Sequence, residues 1–250
     1  MFPIRDDNPT ILTPFVTIGF IAANALSWML VQGLGTEPAL SQSVCSLGLI
    51  PGELLQAAAP GARVPLGRGM VCVLTGEPAY HTLITSMFLH GGWFHLIGNM
   101  WFLWIFGNNI EDSMGHLRFV LFYLLCGVAA AGAQSAVNPG SPIPMVGASG
   151  AISGIMGAYI VLYPRVRVHL LVFLGFFITT IAVPAWMMLG YWLLLQVVGG
   201  IPTLQAEGGG VAFWAHAGGF VAGAALIPLF RNRKLIERRD RHLQWHGWKV

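Results

Sequence analysis

Ser149 is the side chain of this sequence that is best placed to act as a nucleophile. It opens an apolar run within Gly147-Ala148-Ser149-Gly150, and the small residues around it would let neighbouring helices approach closely. A serine hydroxyl becomes a nucleophile only beside a base. The same spacing of small residues is common at simple packing seams between membrane helices, so Ser149 alone does not separate catalysis from packing.

The candidate base is His216, which opens another apolar run. In a third run His95 and Asn99 are four residues apart and therefore share a helix face. Ionisable and polar side chains within membrane segments are costly and are functional candidates by default. A neutral His216 could accept the Ser149 proton and return it to a leaving amine. His95, Asn99 and the Ser149 backbone N–H could stabilise an oxyanion. The alternative for His216 alone is a hydrogen-bonded histidine between helices.

The composition indicates a polytopic membrane protein. The 250 residues are 55% hydrophobic and 9% charged, whereas soluble domains carry about 25% charged residues. Runs near the length that a bilayer requires predict an all-α membrane domain over residues 1–230 with six transmembrane helices at about 11–32, 93–110, 117–136, 146–163, 185–200 and 211–230. Between them, 33–80 is expected to be a loop, 82–89 a short interfacial or buried segment, and 168–183 a lateral or re-entrant segment.

The distribution of positive charge predicts the orientation. Seven of the thirteen Lys and Arg residues lie beyond residue 230, and such residues favour the cytoplasmic side. Cytoplasmic termini leave only Arg63 and Arg68 outside. The basic tail 231–250 is then expected to contact the lipid bilayer and not nucleic acid, and the membrane is expected to be a bacterial inner (cell) membrane. This topology places Ser149, His216 and the His95/Asn99 pair near the external ends of three helices.

Cofactor chemistry has little support in the sequence. It contains neither an H-E-x-x-H zinc motif nor a pair of aspartates within apolar runs, so neither a metal nor another cofactor is expected. No acidic residue lies in the external halves of the candidate helices, which predicts a Ser/His dyad without a third member. Cys45 and Cys72 share the external loop and could form a disulfide, but the sequence leaves their pairing open. Cys126 is expected to serve in packing.

Four motifs together resemble the rhomboid family of intramembrane serine proteases. In chain order they are His95-x-x-x-Asn99, Glu111-x-x-x-Gly115, Gly147-Ala148-Ser149-Gly150 and Ala215-His216-x-x-Gly219-x-x-x-Gly223. The resemblance implies a six-helix bundle, with Ser149 as nucleophile, His216 as base and His95 and Asn99 on the oxyanion side. It implies structural roles for Glu111, Gly115, Gly147, Gly150, Gly219 and Gly223. It also implies hydrolysis of peptide bonds in or beside transmembrane segments, typically of single-span proteins.

Two features depart from the family pattern. Some members place an aromatic residue four positions after the serine, beneath the histidine; that position is Ser153 here, so another group must support His216. The Trp-Arg pair of many members is not evident in 33–80. Two other classes stay open. A non-catalytic relative that binds membrane proteins should lack Ser149 or His216. A small transporter or channel should show inverted repeats and polar residues along a whole path.

Overall fold

The computed structural model describes residues 2–67, 70–175, 177–204 and 211–245. The described helices are α1 (Phe15–Leu30), α2 (Ala39–Leu47), α3 (Pro51–Leu54), α4 (Thr82–Thr85), α5 (Trp93–Met114), α6 (His116–Val137), α7 (Ser149–Leu162), α8 (Ala185–Gly200), α9 (Phe213–Phe230) and α10 (Arg233–Trp245). The described strands are β1 (Phe2–Asp6), β2 (Arg63–Gly67), β3 (Met70–Val73), β4 (Arg167–Leu174) and β5 (Phe177–Pro184).

Three of the described helical stretches are long and apolar enough to cross a membrane: His116–Val137, Ala185–Leu204 and Phe213–Phe230. Helices α1 and α7 are apolar but shorter. Helix α5 has 22 residues and carries Glu111 and Asp112 in its last turns. The chain is therefore a mostly helical, multi-pass membrane protein.

The strands correct the expectation of an all-α chain. β1, β4 and β5 form an antiparallel sheet in the order β1-β4-β5, with β1 pairing to β4 from Phe2↔Leu171 to Asp6↔Val168. The stretch 168–183, expected to be lateral or re-entrant, thus lies in two paired strands on either side of Gly175. These strands are rich in β-branched and aromatic residues, which favour strands. Uniform hydrophobicity concealed this signal, because the alternation of a half-exposed strand is absent.

The stretch 33–80, expected to be a loop, is also more ordered than the sequence indicated. Within 33–80 the chain forms α2, α3 and the hairpin β2–β3. Cys45 and Cys72 form a disulfide with Cα atoms 5.5 Å apart, which answers the question of their pairing. Next along the chain, α4 and a following 3-10 turn bury Thr82 and Met87. The segment 82–89 is therefore partly buried in protein, with Ile84 exposed.

Two acidic side chains at the end of α5 tie down the start of α1. Fully buried Glu111 accepts hydrogen bonds from the backbone N–H groups of Val16 and Thr17 at 2.9 and 2.8 Å, and these are donors that the first turn of a helix leaves without intrahelical partners. Asp112 accepts from the backbone N–H of Leu12 at 2.8 Å. Gly115 follows at φ +84°, a left-handed conformation that suits glycine, and it turns the chain directly into α6.

Helices α7 and α9 meet with their backbones in contact along a glycine seam, which consists of Gly150, Gly154, Gly219 and Gly223. A Cβ atom built on Gly219 would collide with the carbonyl oxygen of Gly150, and one on Gly223 with that of Gly154. Such close approach is the use that membrane helices make of small residues. Because α7 starts at Ser149 and α9 starts three residues before His216, the seam sets how far apart these two side chains lie.

Candidate active site

Ser149 and His216 are hydrogen-bonded to each other. The Ser149 Oγ lies 2.7 Å from the His216 Nε2, within the range of an O–H donor and an imidazole acceptor. Both side chains lie in the first turn of their helices, and both therefore lie at the same end of the glycine seam. A nucleophile beside a base is the arrangement that activates a serine hydroxyl.

The other ring nitrogen of His216 faces a glutamine on α8. The His216 Nδ1 is 2.8 Å from the Gln196 Oε1, and the Gln196 Nε2 donates to the backbone carbonyl of Trp192 at 3.4 Å. The Trp192 ring lies against the imidazole, with centroids 5.8 Å apart. This carbonyl contact orients the amide, because its NH₂ group needs an acceptor and its oxygen then faces His216.

Asn99 and His95 lie one turn apart on α5 and face the same cavity as the serine and the histidine. The Asn99 Nδ2 is buried and has no hydrogen-bond partner among the described residues. The His95 Nδ1 accepts from the backbone N–H of Gly91 at 3.2 Å, so its proton lies on Nε2. A Cβ atom on Gly147 would approach that nitrogen to 2.8 Å. Two residues that carry N–H donors therefore line the cavity.

His90 packs beside this pair without adding charge. Its ring is fully buried and lies edge-on to His95 at a centroid distance of 5.1 Å. Burial lowers the pKa of His90 to about 3, with a smaller contribution from His95, so the ring is neutral at physiological pH. The Gln32 side chain holds its backbone through bonds to both the N–H and the carbonyl, each 2.8 Å long. His90 is thus a neutral, fixed residue that packs against His95.

The cavity that joins these groups has a volume of about 770 Å³. Its described lining includes apolar side chains from α5, α7, α8 and the start of α9, among them Phe102, Met156, Trp192 and Phe213. None of the described lining residues is acidic. The cavity brings together a serine hydrogen-bonded to a histidine and two further polar side chains, and groups of these kinds can carry out acyl transfer.

The glycines singled out in the sequence surround these groups. Gly147 has φ +130° directly before α7, a backbone conformation that disfavours a side chain. Gly150 packs against Ala130 of α6. Gly219 and Gly223 form the α9 side of the glycine seam. At the other end of the bundle, Gly115 approaches Leu235 of α10.

Gln196 and Trp192 escaped the sequence analysis. They are one helical turn apart in a run with few polar residues, and an isolated glutamine inside such a run is a functional candidate on the same ground as His216. Trp192 gave no such signal, because an aromatic residue in a membrane helix is ordinary and only the rotation of α8 brings it to the imidazole.

Comparison with known proteins gives the family. A model of the rhomboid domain matches residues 77–233. Rhomboid-like protein 11, chloroplastic, of Arabidopsis thaliana is 40% identical over 78 residues, which cover 31% of this chain and 28% of that protein. The human presenilin-associated rhomboid-like protein, mitochondrial, is 34% identical over 125 residues, covering 47% and 33%. Rhomboid protein 1, mitochondrial, of Saccharomyces cerevisiae is 28% identical over 176 residues, covering 66% and 46%.

The matched segments span less than half the length of these relatives. The domain match, however, extends over more than half of this chain and includes all four motifs. On that match, the chain belongs to the rhomboid family.

Proposed function

We propose that the protein is an intramembrane serine endopeptidase, with Ser149 as its nucleophile and His216 as its general base. The observation that carries the proposal is the 2.7 Å hydrogen bond between the Ser149 Oγ and the His216 Nε2. Asn99 and His95 support it, since both residues line the same cavity and the Asn99 Nδ2 has no hydrogen-bond partner among the described residues.

The reaction follows from these contacts. As the Ser149 oxygen attacks the peptide carbonyl carbon, its proton moves to the His216 Nε2. The negative charge on the former carbonyl oxygen is stabilised by the Asn99 amide, the His95 Nε2–H and the Ser149 backbone N–H, which lies in a first helical turn and has no intrahelical acceptor. His216 then protonates the leaving amine. His216 next deprotonates a water molecule, whose oxygen attacks the acyl carbon; as the bond to the Ser149 oxygen breaks, His216 returns the proton to that oxygen and restores the serine.

The proposed substrates are membrane proteins, in particular single-span ones, cut in or beside the transmembrane segment. The apolar part of the cavity lining, which includes Phe102 and Met156, favours an apolar polypeptide. A peptide bond within a helix is hydrogen-bonded and must be unwound before attack, so extended or helix-weakened segments should react best. Neither a metal nor a cofactor takes part in this mechanism.

The proposed topology has six spans in a membrane domain over residues 1–230, with both termini in the cytoplasm and 231–250 as a basic tail. Helices α1, α5, α6, α7, α8 and α9 would be the spans. Positive charge supports the orientation, since seven of the thirteen Lys and Arg residues follow residue 230. A bacterial inner membrane stays a prediction, because the relatives compared are named as chloroplast and mitochondrial proteins.

The test is cleavage of a single-span reporter by the purified protein in liposomes. We expect cleavage by the wild type, loss in Ser149→Ala and His216→Ala, and no effect of a chelator. Ser46→Ala and His81→Ala are matched controls, because both side chains are exposed and lie outside the cavity. Cleavage that survives Ser149→Ala would overturn the assignment of the nucleophile. If the wild type neither cuts the reporter nor reacts at Ser149 with a fluorophosphonate, the protease proposal fails and a membrane-protein-binding role gains support.

A further inference from the structure

The α7 side chain one turn after the nucleophile does not hydrogen-bond to the base in the described structure. Ser153, four residues after Ser149, is fully buried and donates its hydroxyl to the Ser149 backbone carbonyl at 2.6 Å. It therefore supports the helix backbone and not the His216 ring. An imidazole that must accept a proton through Nε2 needs its other nitrogen protonated and its ring held in place. Another element has to do both.

Helix α8 carries two side chains that contact the imidazole of His216. Trp192 and Gln196 are four residues apart and so project from the same side of the helix. Trp192 lies against the ring of His216 and also stacks on Phe220, one turn further along α9, with centroids 6.2 Å apart. Gln196 reaches the edge of the ring, where its Oε1 is 2.8 Å from the Nδ1.

The direction of the Gln196 bond decides which nitrogen of His216 carries the proton. The Gln196 Nε2 is directed at the Trp192 carbonyl, so an acceptor, the Oε1, faces the imidazole. An acceptor beside Nδ1 favours the tautomer with the proton on Nδ1. Nε2 is then the free acceptor, and it is the nitrogen that faces the Ser149 hydroxyl at 2.7 Å. The same contact would stabilise the imidazolium that forms when His216 takes the serine proton.

We infer that Gln196 is a positioning residue for the base: it holds the His216 proton on Nδ1 and fixes the ring so that Nε2 faces Ser149. The catalytic part of this inference rests on the proposed function. The tautomer of His216 can be measured whether or not the protein cuts peptides. A chain of hydrogen bonds then runs from Ser149 through His216 to Gln196, and none of these three residues is acidic.

The first measurement is the tautomer of His216. Full-length protein labelled with ¹⁵N at histidine is compared in detergent with Gln196→Leu, and the His216 signals are assigned by their loss in His216→Ala. We expect the wild type to show a protonated Nδ1 and an unprotonated Nε2 at mildly alkaline pH. Gln196→Leu should lose this preference. An unchanged tautomer in Gln196→Leu overturns the inference, whatever the activity.

The second measurement separates positioning from packing. Gln196→Leu should lower kcat by about 10- to 100-fold with little change in KM, since it removes an orienting contact and leaves the nucleophile and the base in place. The double variant Leu195→Gln/Gln196→Leu keeps the composition of α8 and turns the amide away, and it should be equally slow. Recovery of wild-type kcat in the double variant would show that only the polarity of α8 matters and would overturn the inference.

Gln196→Glu is the conservative variant. A carboxylate keeps the acceptor, so kcat should recover above that of Gln196→Leu. It also stabilises the protonated imidazole, so the acidic limb of the pH–rate profile should move to higher pH. Among the described residues, His95 of α5 is the other titratable group that interacts with His216, and it does not change in this comparison. A profile identical to that of the wild type would contradict the inference. If the wild type is inactive, the protease proposal fails, while the tautomer comparison still decides the role of Gln196.

Discussion

Adding one methyl group to the glycine seam should disable the proposed site without touching a catalytic group. In Gly219→Ala the new Cβ would lie about 1 Å inside ordinary van der Waals contact with the Gly150 carbonyl oxygen. That oxygen belongs to the backbone of α7 and cannot rotate away, so the two helices must separate by a similar distance. The Ser149–His216 contact, now 2.7 Å, would then lengthen to about 3.7 Å, beyond a hydrogen bond.

A displacement of about 1 Å between reacting groups can lower the rate about 100-fold. We therefore expect Gly219→Ala to cleave a single-span reporter about 100-fold more slowly than the wild type and to react correspondingly slowly with a fluorophosphonate. The matched control is Gly132→Ala on α6, where an added Cβ meets nothing within 4 Å. A helical Gly→Ala change in open space stabilises slightly, so this control should keep full activity.

Thermal unfolding of the same samples distinguishes displacement from misfolding. Gly219→Ala should remain folded at the assay temperature, with a lowered unfolding midpoint. Wild-type cleavage by folded Gly219→Ala would refute the reasoning, because it would mean that backbone contact between α7 and α9 does not set the distance from Ser149 to His216.

Three further predictions concern stability, each measured as thermal unfolding in detergent. Burial raises the pKa of Asp6 to about 6, so the free energy of unfolding should fall as the pH rises from about 4 through 6. Asp6→Asn should lack this fall and should be more stable than the wild type at pH 7.5, by no more than about 3 kcal/mol. Equal pH slopes in the variant and the wild type would contradict the prediction. Glu111→Gln replaces an acceptor of the Thr17 N–H and hydroxyl with an amide that has one acceptor oxygen, and it should lose about 2–4 kcal/mol; an unchanged midpoint would exclude the role of Glu111 in holding α1. Replacing Cys45 and Cys72, which are 27 residues apart, by serine should lower the free energy of unfolding by about 3–4 kcal/mol. The control is Cys126→Ser, which makes the same change of residue type and leaves the disulfide intact.

The pairing of Ser149 with His216 could be predicted because few polar side chains occur within the apolar runs. Charge asymmetry set an orientation, and the orientation brought these two residues and the His95/Asn99 pair to the same depth. The structure has Ser149 and His216 in direct contact and the other two on the same cavity. The small number of polar side chains was enough to pair these residues, since a membrane segment tolerates few polar groups.

The contacts on the far side of His216 could not be predicted in the same way. Whether Gln196 faces the imidazole depends on the rotation of α8, and α8 buries only Ala185, Leu189 and Gly200 among its residues. A helix that is apolar on all sides has no hydrophobic face to indicate its rotation. The strands β4 and β5 were missed for a related reason, since a uniformly apolar run does not separate a strand from a helix by periodicity.

The contacts of Arg239 on α10 have a consequence for the order in which the chain can fold. This nearly fully buried side chain donates to Asn8 and, at 3.2 Å, to the backbone carbonyl of Pro9, so residues more than 200 positions apart in sequence meet at the end of the bundle that also holds Asp112. Residues 2–9 precede the helices in the chain, yet their partners on β4 and α10 are made after most of the helices. Contacts this distant in sequence form late. The end of the bundle opposite the serine is therefore expected to close last, after translation has passed residue 239.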